Sequence, residues 1–168
     1  LVKKNGLEYL IKALLFLPEE YVLVIVGGGP LRKKLENLSE KLGLKQRVRF
    51  EGERPHDWLF SAYQTSEVFV RPSLSEGLGN VFLEAMSFSL PVIATPVGGI
   101  PDFLKDGETG WFCKVKDPKS IAETIKHVFD EKNKEEVERV KKNAKKMVEE
   151  RYDWDNISQK MKNIFNEK

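Results

Sequence analysis

Five short runs of β-branched and aromatic residues, each followed by a turn and then a helix-spaced stretch, constrain this chain's fold more than anything else in it. The longest, Tyr21-Val22-Leu23-Val24-Ile25-Val26, has no polar residue and so reads as an interior parallel strand covered on both faces. The others lie at 48–50, 67–71, 91–94 and 111–113. Between them, Leu7, Leu10, Ile11, Leu14 and Leu15 predict a helix over 6–16, stopped by Pro18. Leu31, Leu35, Leu38 and Leu42 predict a second helix that ends at Gly43, and Trp58, Leu59, Ala62 and Tyr63 a third. A short helix is expected near 101–104, and the end of the chain reads as helical at 120–131, 135–151 and 154–165. Strands alternating with helices in 168 residues predict one α/β domain with a doubly wound, Rossmann-like parallel sheet. Such sheets bind ligands beyond the carboxyl ends of their strands. Those ends lead into the loops 27–30, 51–55, 71–79 and 95–100, which hold nearly all of the distinctive residues.

The third of these loops carries the chemistry. It runs Pro72-Ser73-Leu74-Ser75-Glu76-Gly77-Leu78-Gly79-Asn80, and Val81, Phe82, Ala85, Met86 and Phe88 continue it at helical spacing. Asn80 is a good N-cap residue, so a helix is expected to start there. Gly77 and Gly79 allow the backbone to approach a ligand closely, and the helix start offers free N–H groups and a partial positive charge suited to phosphate. Glu76 then stands at the mouth of the strand and Glu84 about one turn into the helix. A phosphate seat with a carboxylate on each side suits a polyhydroxylated phosphate ester, because carboxylates accept hydrogen bonds from sugar hydroxyls.

Composition closes off other classes. With 28 basic and 26 acidic residues the net charge is +2, which gives no global basic field for nucleic acid. No apolar run approaches the ~20 residues of a membrane span. A single cysteine, Cys113, allows no internal disulfide and no multi-cysteine metal site; it fits a buried strand residue and a cytoplasmic location. His56 and His127 stand alone, without paired ligand spacing, and His127 reads as a surface-helix residue.

The stretch 72–95 resembles the donor site of the retaining glycosyltransferases of family 4, which have the two-domain GT-B fold and a hallmark of two glutamates separated by seven residues. Val26-Gly27-Gly28-Gly29-Pro30, Val48-Arg49-Phe50-Glu51-Gly52, Pro91-Val92-Ile93-Ala94-Thr95, Val97-Gly98-Gly99-Ile100-Pro101 and Asp106-Gly107-Glu108-Thr109-Gly110 follow in family order. The resemblance implies that residues 1–168 form the nucleotide-sugar donor-binding domain, the C-terminal half of such an enzyme. By the same comparison the chain is a fragment that lacks its first strand, a diphosphate-binding arginine before Leu1 and the N-terminal acceptor-binding domain. It further implies that Glu84 grips ribose hydroxyls, that Glu76 is the catalytic-site residue contacting the donor sugar, and that Gly77, Leu78, Gly79, Asn80 and Val81 hold the diphosphate. Lys4 is the candidate diphosphate lysine, one position earlier than the family spacing, which would place it at Asn5. Arg54 lies in the loop that touches the nucleobase, either stacked on the base or solvated.

The implied reaction moves a hexosyl-type sugar from a UDP- or GDP-linked donor to an acceptor hydroxyl with retention, without a metal or other cofactor. The fragment alone is expected to be inactive, and the full-length enzyme is a candidate for peripheral membrane association. Ser89 replaces the glycine usual in the family's turn after the second glutamate, and a serine can end a helix there at modest cost. Arg71 is polar in an apolar strand, so it either pairs with Glu76 or faces a phosphate. One rival is a dinucleotide-binding half of an oxidoreductase or epimerase. Gly27, Gly29 and Glu51 fit that rival's fingerprint, but Arg32 stands where its third glycine belongs. The other rival is a non-catalytic nucleotide-sugar-binding module.

Overall fold

The structure, a computed structural model, describes residues 1–152. The expected helix over 154–165 lies outside the described residues. In chain order the elements are α1 (Leu7–Ala13), β1 (Leu23–Val26), α2 (Arg32–Lys41), β2 (Val48–Gly52), α3 (His56–Thr65), β3 (Phe69–Arg71), α4 (Asn80–Ser87), β4 (Val92–Ala94), α5 (Ile100–Phe103), β5 (Trp111–Phe112), α6 (Pro118–Phe129) and α7 (Lys134–Arg151). Short 3-10 turns at Lys3–Asn5, Leu14–Phe16 and Glu131–Asn133 join them. Every element read from hydrophobic spacing within the described residues is present. All strand pairs are parallel, as strands separated by helices require.

The strands form two sheets, β1-β2 and β3-β4-β5, where one continuous sheet was expected. The second is covered on both faces. Along β4, Ile93 enters a core with α1 and α6 residues such as Leu10 and Ile121, while Val92 and Ala94 enter a core with Phe82, Met86 and Ala144. That two-residue alternation into two separate cores is the signature of a doubly wound sheet. The first sheet departs from expectation. Ile25 is buried, but Val22 and Val24 are each 46% exposed, so β1 is not the strand covered on both faces that its composition suggested. In the register of the pair, Val24 stands beside the exposed Arg49 on the uncovered face.

Arg47 locks the end of the first helical segment to this sheet. Its guanidinium donates to the carbonyl oxygens of Leu14 (3.1 Å), Pro18 (2.6 Å) and Tyr21 (3.1 Å), acceptors in the turn where the chain leaves α1. Cys113 is buried just beyond β5, and burial pushes its thiol up to about 12, in keeping with a packing residue. His127 is more than a surface residue. Its Nε2 lies 3.3 Å from Glu136, whose carboxylate also accepts from the Trp111 indole, and Asn133 reaches its Nδ1 at 3.0 Å. The cluster joins β5, α6 and the start of α7.

The turn after α4 explains why glycine is usual at position 89. Ser89 N–H bonds to Met86 O and Leu90 N–H to Ala85 O, the two bonds of a Schellman ending. The residue at the pivot must be left-handed, and Ser89 has φ +58°. A Cβ there costs roughly 1–2 kcal/mol, partly offset by the greater unfolded-state freedom of glycine. Ser89→Gly should therefore raise unfolding stability by about 0.5–1 kcal/mol in urea titration, with unchanged ligand binding. A destabilised variant would show that the hydroxyl contributes more than the strain costs.

Candidate functional site

The site forms where three loops meet at the carboxyl ends of the strands. Gly6, at φ +68°, has no side chain because a Cβ there would overlap Pro72 O; the turn at Lys3–Asn5 thus lies against the loop that leaves β3. Leu74 N–H bonds to Lys4 O at 2.7 Å and fixes that contact. Gly98, at φ +58°, does the same from the other side, since a Cβ would overlap Glu76 O. Below, the buried Thr95 hydroxyl donates to Ser73 O. The stretch 72–77 is thereby clamped between residues 3–6 and the loop after β4.

This clamp brings cations to Glu76. The Glu76 side chain is only 7% exposed; its Oε2 lies 2.9 Å from the Arg71 guanidinium and its Oε1 3.6 Å from Lys4 Nζ. Ser73 Oγ at 3.4 Å and the Gly77 N–H at 3.2 Å complete its donors. Arg71 also donates to Asn5 Oδ1 at 3.2 Å and stands 5.8 Å from the Phe82 ring centroid. Of the two roles open to Arg71, pairing with Glu76 is the one found. Asn5, at the position where the family spacing sets a lysine, is a partner of Arg71, while Lys4 reaches the carboxylate.

Glu84 is held from another direction. It sits in the second turn of α4, and the Tyr63 hydroxyl donates to its Oε2 at 3.1 Å. Tyr63 is 9% exposed, so burial and the neighbouring carboxylate raise its pKa well above the ordinary phenol value. Sequence reading took Tyr63 for one more apolar position of α3. Only its hydroxyl, which a buried tyrosine must satisfy, hinted otherwise.

The helix between the two glutamates begins one residue earlier than expected. Gly79 is the N-cap of α4, with φ +67°, and Asn80 is its first helical residue; no side chain caps the helix. Asparagine's capping preference yields here to a left-handed cap position beside Phe82 and Glu76, where an added Cβ would come within 3.0 Å of both. Gly77, Leu78 and Asn80 are exposed and Val81 is half-buried, so this backbone is open to a ligand.

The remaining predicted residues lie at the neighbouring strand end. Arg54 pairs with Glu51 Oε2 at 2.5 Å and its guanidinium lies 5.2 Å from the Trp58 ring centroid, so its flat face is engaged by this chain's own aromatic. Gly27 N–H bonds to Gly52 O at 2.6 Å, tying the triple-glycine turn to the Arg54 loop. Arg32 fills the space beside Gly52 and donates to Phe50 O at 3.1 Å, where a dinucleotide fold would keep a glycine. Among the described residues no group of three or more His, Cys, Asp or Glu side chains is placed to hold a metal ion, and no helix is long and apolar enough to cross a membrane.

A parallel α/β unit of this topology has the fold of the C-terminal domains of GT-B glycosyltransferases. Residues 1–147 match the family model described as glycosyl transferases group 1, and the chain belongs to that family. An uncharacterised glycosyltransferase of Methanocaldococcus jannaschii is 37% identical over 167 residues, covering 98% of this chain and 42% of the relative. The sulfoquinovosyl transferase of Arabidopsis thaliana is 34% identical over 163 residues, covering 95% and 30%. The chain thus spans less than half the length of these relatives. Among solved structures, the C-terminal domain of a group 1 glycosyl transferase from Francisella tularensis superposes with a TM-score of 0.79 at 25% identity, covering 92% of this chain and 83% of that one. Sucrose-phosphate synthase from Thermosynechococcus elongatus superposes with a TM-score of 0.88 at 28% identity, covering 99% and 43%.

Proposed function

We propose that this chain is the nucleotide-sugar donor-binding domain of a retaining, metal-independent glycosyltransferase of family 4. The observation that carries the reading is the placement of Glu76 and Glu84 on either side of the uncapped start of α4. Glu84 takes the ribose hydroxyls, Glu76 takes hydroxyls of the donor sugar, and the backbone from Gly77 to Val81 takes the diphosphate. Developing negative charge on the departing diphosphate is met by the helix start and Lys4. Lys4 and Arg71, already within 3.6 Å and 2.9 Å of Glu76, supply the positive charge that a divalent ion supplies elsewhere. The relatives are named for different sugars, a sulfoquinovosyl group in one and a kanosaminyl group in another, so membership of the family does not by itself fix the sugar.

Calorimetric titration of the chain with UDP, GDP, ADP and NAD, all in excess chelator, tests the reading. One nucleoside diphosphate should bind and NAD should not, and the isolated chain should transfer no sugar. Binding of NAD alone would favour a dinucleotide domain, and binding restored only by Mn²⁺ would remove metal independence. A parent protein that binds donor tightly yet never transfers sugar would make the site a sensor.

A further inference from the structure

We propose that Tyr63 is a positioning residue for the nucleotide, orienting the Glu84 carboxylate so that its free acceptor sites meet two neighbouring ribose hydroxyls. The proposal rests on the role given above to Glu84. A carboxylate offers about four lone-pair directions, and two vicinal hydroxyls need two of them held at fixed separation. An unrestrained glutamate has three rotatable side-chain torsions, and ordering them on binding costs affinity. The Tyr63 hydroxyl, 3.1 Å from Oε2, occupies one direction, and among the described residues no other hydrogen bond takes the Glu84 carboxylate.

The phenol is itself immobile. Its ring stacks on Phe88 with centroids 5.5 Å apart at 29°, and lies 6.2 Å from Phe69 on β3 at 62°. Phe88 is the residue that ends α4, the helix carrying Glu84, so the hydroxyl and the carboxylate it orients are anchored to the same element. Burial and the neighbouring negative charge keep the phenol protonated, so it remains the donor at every working pH. The hydroxyl donates to a half-buried carboxylate, so the bond restrains a charged group.

The test compares UDP with 2′,3′-dideoxy-UDP, or the guanosine pair if GDP binds more tightly. Tyr63→Phe keeps the ring stack and removes only the hydroxyl. It should weaken UDP about 10-fold and change dideoxy-UDP less than 2-fold, which shrinks the preference for ribose. Equal losses for both nucleotides would mean that Tyr63 merely supports the fold, and no loss for either would mean that Glu84 orients itself; each overturns the proposal. Glu84→Ala separates this from the reading beneath it. If that variant binds UDP like the parent, the role of Glu84 is wrong; if it loses the ribose preference while Tyr63→Phe retains it, only the role of Tyr63 is.

Discussion

Glu84→Ala should weaken binding of the preferred nucleoside diphosphate by about 100-fold. Two hydrogen bonds from ribose hydroxyls to a carboxylate, at about 1.5 kcal/mol each, come to about 3 kcal/mol, and each 1.4 kcal/mol is tenfold in affinity. The same substitution strands the Tyr63 hydroxyl, which is buried and has Glu84 as its partner. An unsatisfied buried hydroxyl costs about 1–3 kcal/mol of stability, whereas removing both partners of a bond is close to neutral. The double variant Tyr63→Phe, Glu84→Ala should therefore regain most of the stability that Glu84→Ala loses, while binding stays as weak as in the single variant. Urea unfolding reads the first and calorimetry the second. A double variant less stable than Glu84→Ala would mean that the hydroxyl has another partner once the carboxylate is gone.

The order of elements was legible because hydrophobic period is a local property. Leu31, Leu35, Leu38 and Leu42 stand on one face of α2 whatever surrounds it, and Ile93 between Val92 and Ala94 alternates in any strand. Burial was less legible, because it depends on what packs over a strand. Val24 is as apolar as Ile25, yet 46% exposed against 4%. The site shows the same division. Glu76, Gly77, Gly79 and Glu84 stand within one continuous run, so sequence spacing alone brings them together. Tyr63, Asn5 and the pair Thr95 and Gly98 come from three other segments, and their contacts with residues 71–84 are set by strand pairing and by close backbone approach. The N-cap was misplaced by one residue because asparagine's preference is a weak local term, overridden by a left-handed turn against Phe82 and Glu76. Ser89 was recognised as unusual from the family pattern, but its positive φ is what turns that oddity into a stability forecast.

Glu76→Ala should separate stability from sugar recognition in the opposite sense to Glu84→Ala. Removing this carboxylate leaves Arg71, whose side chain is 22% exposed, with Asn5 Oδ1 and the Phe82 face, and its buried Nε already lacks a partner. Breaking a fully buried ion pair costs roughly 3–5 kcal/mol; partial exposure of Arg71 reduces this to about 2 kcal/mol. Nucleotide binding should move the other way. Lys4 and Arg71, released from the carboxylate, leave a net positive charge beside the start of α4, so UDP or GDP should bind as well as to the parent or more tightly, and more so at low salt. The sugar conjugate should lose its advantage over the bare diphosphate by about 10-fold, the worth of one charge-assisted bond. Glu76→Gln keeps a neutral acceptor near Arg71 and should recover part of the stability without recovering the sugar preference. The deciding measurement is the ratio of Kd for UDP-glucose to Kd for UDP, or GDP-mannose to GDP, in the parent and both variants. An unchanged ratio would take Glu76 out of sugar recognition and leave it as the counter-charge that holds Arg71 and Lys4 beneath the donor loop.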